Sequence, residues 1–110
     1  MIETNEFVKG QVFSFNNEVE YANGSIVSKN VLKNKVGNVS LFSFDKNEGL
    51  SEHTAPFDAM VQVIDGTAEV TIDGKPVLVN AGETIIMPAN IPHALRAVEK
   101  FKMVLTMIRG

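Results

Sequence analysis

Two histidines, His53 and His93, are the residues in this 110-residue chain whose type and spacing can do chemistry. They stand 40 residues apart and the chain has no cysteine, so any metal held here draws on at most two imidazoles and no thiolate. Zinc fingers, iron–sulfur clusters, disulfide scaffolds and cysteine nucleophiles are excluded on that ground. A pair of imidazoles can bind a cation, or it can split the roles of acid and base, because imidazole titrates near neutral pH. Two satisfied interior histidines are the plain alternative. Ser28 and Ser51 have polar neighbours, but no serine–histidine–carboxylate arrangement can be read from the spacing.

The elements that must position the pair read as strands. Short alternating or apolar runs are bounded by Gly, Asn, Asp and Pro every eight to twelve residues or so, the spacing of a sandwich or barrel. Strands are expected over 11–15, 25–32, 38–45, 50–55, 59–64, 67–72, 76–79, 84–87, 93–97 and 101–108. Asp73-Gly74 carries the type I′ hairpin signature, and Asp65-Gly66 is expected to make a second tight turn. Pro92 gives His93 an extended entry into its strand. In the last strand Phe101, Met103, Leu105 and Met107 form the face expected to point inward. No run has the length or stripe of a long helix.

Composition narrows the partners. Ten Lys and Arg against thirteen Asp and Glu leave a net charge of −3, which offers no basic field for nucleic acid. No apolar run is long enough to span a bilayer, and Glu3 and Glu6 stand where a signal peptide would carry positive charge and an apolar stretch, so a cytoplasmic protein is expected.

Residues 82–93, GETIIMPANIPH, resemble the second signature motif of the cupin family, G-x5-P-x-G-x2-H-x3-N, with Gly82, Pro88 and His93 in register. The first cupin motif, G-x5-H-x-H-x3-4-E-x6-G, can be laid on the chain with His53 as its first histidine and Gly66 as its closing glycine. With the strands between and around them, the resemblance extends over most of residues 25–108. It implies an all-β fold, a double-stranded β-helix or jelly-roll barrel occupying residues 25–110. Residues 1–24 are then an N-terminal segment, an edge strand or a dimer contact.

The chain departs from the family pattern where the pattern matters most. Ala55 stands at the position of the second histidine and Ala59 at that of the glutamate, so two of the four usual metal ligands are methyl groups. Asn90 replaces a glycine, a mild change because Asn tolerates left-handed backbone, Ala97 replaces the final asparagine, and Gly49 lies only near the place of the opening glycine.

The resemblance thus implies a site in which His53 and His93 hold one divalent transition metal, Zn, Fe, Mn or Ni, weakly and with open positions. Glu52, Asp58 and Gln62 are the candidates for a third donor. Strand alternation turns all three away, but a bulge could bring one in, and Gln62, a polar amide between Val61 and Val63, is the preferred one. The two alanines should enlarge and dry the cavity, whose expected lining is Val61, Val63, Met87, Leu95, Met103 and Leu105, with Phe57 near the mouth. Three functions stay open: a metal-assisted enzyme acting on a small organic molecule, a non-catalytic small-molecule-binding barrel that has lost the metal, and a structural scaffold. No catalytic residue and no substrate can be named. The family commonly dimerises, and Phe7, Phe13 and Phe15 offer apolar surface for a homodimer.

Overall fold

A computed structural model describes residues 7–109 together with the backbone of 2–4. Its strands are β1 (Ile2–Thr4), β2 (Ile26–Asn34), β3 (Gly37–Phe44), β4 (Gly49–His53), β5 (Ala59–Asp65), β6 (Thr67–Ile72), β7 (Lys75–Asn80), β8 (Thr84–Met87), β9 (His93–Ala97) and β10 (Phe101–Ile108), with one helical turn, α1 (Phe15–Glu18). They form a six-stranded sheet in the order β1-β2-β3-β10-β5-β8 and a four-stranded sheet in the order β4-β9-β6-β7. Consecutive strands β4, β5 and β6 alternate between the two sheets, which is the double-stranded β-helix expected from the motifs. No helix among the described residues is long and apolar enough to cross a membrane.

Local chemistry sets the corners. At the β6–β7 hairpin Asp73 and Gly74 both have positive φ, 52° and 76°, as a type I′ turn requires. The β2–β3 hairpin is closed by the Asn34 side chain, whose Oδ1 accepts from the backbone N–H of Val36 and of Gly37. Asp65-Gly66 is not a hairpin: β5 and β6 lie in different sheets, and Gly66, at φ +75°, is the bend where the chain crosses between them. A Cβ there would run into the Lys100 carbonyl oxygen.

The core lies between the sheets. Val61 and Val63 of β5, Met103 and Phe101 of β10, Val70 of β6 and Leu95 of β9 supply it, and Phe44 stacks on Phe101 with ring centroids 4.5 Å apart. Alternation along β10 is hidden, because every residue from Phe101 to Leu105 is buried. The even-numbered face is covered by the segment 7–24.

That segment corrects the expectation of a strand over 11–15. It runs as a strap across the outer face of the six-stranded sheet, where Val19, Phe7 and Phe15 pack on Leu41, Val104 and neighbouring side chains. Its polar groups are tied by side chains, not by a strand ladder. Lys102, only 8% exposed, donates from Nζ to the Asn16 carbonyl at 2.8 Å and to Asn16 Oδ1 at 3.1 Å. Ser43 Oγ donates to the Glu20 carbonyl, and the Tyr21 hydroxyl donates to Asp65 Oδ2. Burial, with the Asp65 carboxylate beside it, holds the Tyr21 phenol well above its usual range, so it stays a donor. One edge of the sheet is β1, which pairs in parallel with β2.

Candidate functional site

His93 opens β9 and His53 closes β4, and the two are cross-strand partners in the four-stranded sheet. Strict alternation would put Leu50 and His53, three residues apart, on opposite faces. They share a face because β4 carries an irregularity between them: Leu50 pairs with Leu95 and His53 with His93, so three steps along β4 match two along β9. This one-residue bulge turns His53 toward His93. Beside the pair, the Asn90 N–H donates to the Ala55 carbonyl at 2.7 Å, joining the loops that follow β4 and β8. Asn90 has φ 63°, the left-handed geometry its place in the motif demands.

The hydrogen bonds of the two rings fix their chemistry. His53 Nδ1 lies 2.8 Å from the Ser51 carbonyl oxygen and His93 Nδ1 lies 3.2 Å from the Ile91 carbonyl oxygen, the same contact two residues back in each case. A carbonyl only accepts, so each Nδ1 is the protonated nitrogen and each neutral ring carries its lone pair on Nε2. The two Nε2 atoms face each other at 3.1 Å with the rings inclined by 71°. Two lone pairs at that distance repel unless a cation lies between them, either one extra proton or a metal ion. With metal–nitrogen bonds of about 2.0–2.1 Å, a 3.1 Å separation corresponds to an N–metal–N angle of about 100°, within the range of four- to six-coordinate ions.

The rings differ in setting. His53 is exposed, whereas His93 is 4% exposed and its pKa is pushed below the ordinary imidazole value, first by burial and then by repulsion from His53, with the Ile91 carbonyl opposing.

Behind the pair lies a cavity of about 50 Å³. It brings together His53, His93, Ala55 and Ala59, so the two alanines do stand where donors to the same ion could have been. Of the expected lining, Met87, Leu95, Met103 and Leu105 contribute, joined by Leu50 and Met107, which sequence reasoning did not place there. Val61 and Val63 are part of the packed core and do not line it. Phe57 borders a different hollow, at the surface with Asp58 and Ala89, its ring centroid 5.1 Å from the Arg109 guanidinium. The cavity is small, with methionine and leucine side chains around the two alanines. It has room for an ion with a few waters, far below the roughly 300–1,000 Å³ of sites that enclose an organic molecule.

The three candidates for a third donor stay away from the rings. Gln62 is exposed on the outer side of β5, between inward-facing Val61 and Val63. Asp58 Oδ1 accepts from the Ala89 N–H at 2.8 Å and so holds the turn before β9. Glu52 is exposed on β4. Among the described residues no group of three His, Cys, Asp or Glu side chains is placed to share a metal ion.

The cupin domain family model matches residues 40–109. A crystal structure of a conserved protein of unknown function from Streptococcus pyogenes is similar with a TM-score of 0.91 and 36% identity, over 100% of this chain and 96% of that one. A cupin 2 conserved barrel domain protein from Leptotrichia buccalis is 44% identical with a TM-score of 0.86, over 88% of this chain and 47% of that one, so the match takes in about half of the longer protein. A cupin superfamily protein from Desulfitobacterium hafniense shares the fold, with a TM-score of 0.87 at 21% identity over 94% of each chain. No curated protein matches the sequence.

Proposed function

The chain belongs to the cupin domain family, and from that premise we propose that it binds one transition-metal cation between His53 and His93 at the mouth of the barrel. The observation that carries this reading is the pair of Nε2 lone pairs held face to face at 3.1 Å by carbonyls that occupy both Nδ1 atoms. A bound metal supplies Lewis acidity, and its positions not filled by imidazole are open to water or to a small ligand entering beside exposed His53. The small cavity favours a ligand that reaches the ion from solvent over an organic substrate enclosed within the barrel.

The test is elemental analysis of the protein purified without added metal, and again after incubation with Zn²⁺, Fe²⁺, Mn²⁺ or Ni²⁺ and desalting. Repeating it on His53→Ala and His93→Ala separates a shared site from adventitious binding. One equivalent lost in both variants supports the proposal. Absence of metal, together with a melting temperature that no metal raises, overturns it, since a cation binding only the folded state must stabilise that state.

A metal-free barrel, in which the pair holds a proton, is the second reading. It is favoured by the lack of a third His, Cys, Asp or Glu donor among the described residues. A homodimer is also proposed: Val8, Phe13 and Leu32 are exposed around an apolar hollow of about 380 Å³ between the strap and the sheet. Light scattering at micromolar concentration checks it, and a strict monomer mass excludes it.

A further inference from the structure

The cavity behind the histidines is lined by Met87, Met103 and Met107, three of the five methionines in the chain. Two of them have a particular place. In the six-stranded sheet Ala59 pairs with Met107 of β10 on one side and with Met87 of β8 on the other, giving a row Met107–Ala59–Met87 across three adjacent strands. All three side chains line the same cavity as the histidines. Two thioethers therefore flank the one position from which a carboxylate on β5 could have faced the imidazoles.

This changes the chemistry of the donor set. Two neutral imidazoles with thioethers nearby, and no carboxylate, form a soft and uncharged environment. Hard divalent ions such as Mn²⁺ prefer oxygen donors, and borderline ions such as Zn²⁺ accept imidazole but gain nothing from a thioether, whereas thioether sulfur with imidazole selects copper(I). Copper(I) is satisfied by two or three ligands and carries only one charge into an apolar cavity. The N–metal–N angle of about 100° set by the 3.1 Å separation leaves a third position free on the cavity side.

We propose that the site is selective for copper(I), held by His53 Nε2, His93 Nε2 and a thioether supplied by Met87 or Met107. The proposal rests on the reading of the two histidines as cation ligands, and it adds that the methionines beside Ala59 take part.

The experiment titrates the full chain anaerobically, in ascorbate, with copper(I) against a chromogenic copper(I) chelator, and in parallel with Zn²⁺ and Mn²⁺. The variants are Met87→Leu/Met107→Leu together, Met60→Leu, His53→Ala and His93→Ala, with leucine chosen because it conserves apolar volume. Copper K-edge absorption reports sulfur in the coordination shell. The expected result is one copper(I) per chain, a sulfur contribution, and a loss of copper(I) affinity of about tenfold or more in the double methionine variant with zinc affinity unchanged. Met60 alternates to the other side of β5 and does not line the cavity, so Met60→Leu should bind copper(I) as the wild type does. An equal loss in Met60→Leu would trace the effect to stability and overturn the thioether assignment. Wild-type copper(I) affinity in the double methionine variant, or no sulfur signal in the wild type, would overturn the proposal while leaving the histidine site intact. Undiminished copper(I) binding in both histidine variants would instead overturn the reading on which it rests.

Discussion

His53 stands directly across from His93 in the β4–β9 ladder, and it does so only because β4 contains one residue more than its partner between Leu50 and His53. Within the bulge the Ser51 carbonyl accepts from His53 Nδ1, the bond that turns Nε2 toward His93. The extra residue places the ring, and the carbonyl two residues back selects its tautomer, as the Ile91 carbonyl does for His93.

The first prediction concerns pH. His93 is buried with its pKa pushed below the ordinary imidazole value, so between that lowered value and the unfolded value near 6.5 the unfolded chain binds the proton more readily than the native one. Stability of the metal-free protein must then rise with pH through this window, and fall as pH drops below about 6.5 until His93 itself is protonated. Melting temperature measured between about pH 7 and pH 5.5 in the presence of a chelator should show this slope, and His93→Gln should flatten it. A slope identical in the variant would assign the effect to other groups.

Lys102 tests the strap. Its ammonium is the donor for both acceptors of Asn16, on a side chain buried between the sheet and the segment 7–24. Lys102→Met keeps the apolar stem and removes the donor, and should cost about 1–3 kcal/mol in chemical denaturation. Limited proteolysis should show earlier cleavage within residues 7–24 than in the wild type. Equal stability and equal cleavage patterns would mean that the strap is held by Val19 and the phenylalanines alone.

Two glycines with nearly the same φ separate strain from collision. Gly74, at +76°, has open space around the position of a Cβ, so Gly74→Ala should cost only about 1–2 kcal/mol for the left-handed conformation. Gly66, at +75°, faces the Lys100 carbonyl where the chain changes sheet, and Gly66→Ala should cost on the order of 3 kcal/mol or more. The difference between the two unfolding free energies is the measurement, and a difference near zero would show that the crossing at Gly66 relaxes freely.

Much of the barrel is legible in the sequence where alternation and turn residues agree. The bounds of β6, β8, β9 and β10 coincide with the expected 67–72, 84–87, 93–97 and 101–108: β6 alternates with a period of two and stops at Asp73, β8 stops at Pro88, and Pro92 stands directly before β9. Phe7, Phe13 and Phe15 do not announce their place: Phe7 and Phe15 pack by side chain on a sheet surface far away in sequence, and Phe13 rests on those two rings, with no periodicity to read. The site was half visible. Motif spacing located His53, His93, Ala55 and Ala59 in one cavity. The bulge that reverses alternation in β4 has no residue signature, and the row Met107–Ala59–Met87 exists only through the register of three strands. Val61 and Val63 have the right alternation for the lining but sit farther along β5 than Ala59, inside the packed core.

Restoring the absent donors gives the last prediction. Ala59 is 4% exposed, with Met87 and Met107 as its strand partners, and Ala55 is half-buried at the cavity mouth. Ala59→Glu places a carboxylate in an apolar wall, which should destabilise the metal-free protein by roughly 1–3 kcal/mol. Ala55→His/Ala59→Glu would complete a four-donor set of three imidazoles and one carboxylate, hard enough for Mn²⁺. Because the ion binds only the folded state, Mn²⁺ should then raise the melting temperature of the double variant well above its metal-free value and leave the wild type nearly unchanged. The comparison reads out orientation as well as affinity: if the double variant folds but gains nothing from Mn²⁺, positions 55 and 59 do not converge on the imidazoles, and the single geometry assigned to all four residues is wrong.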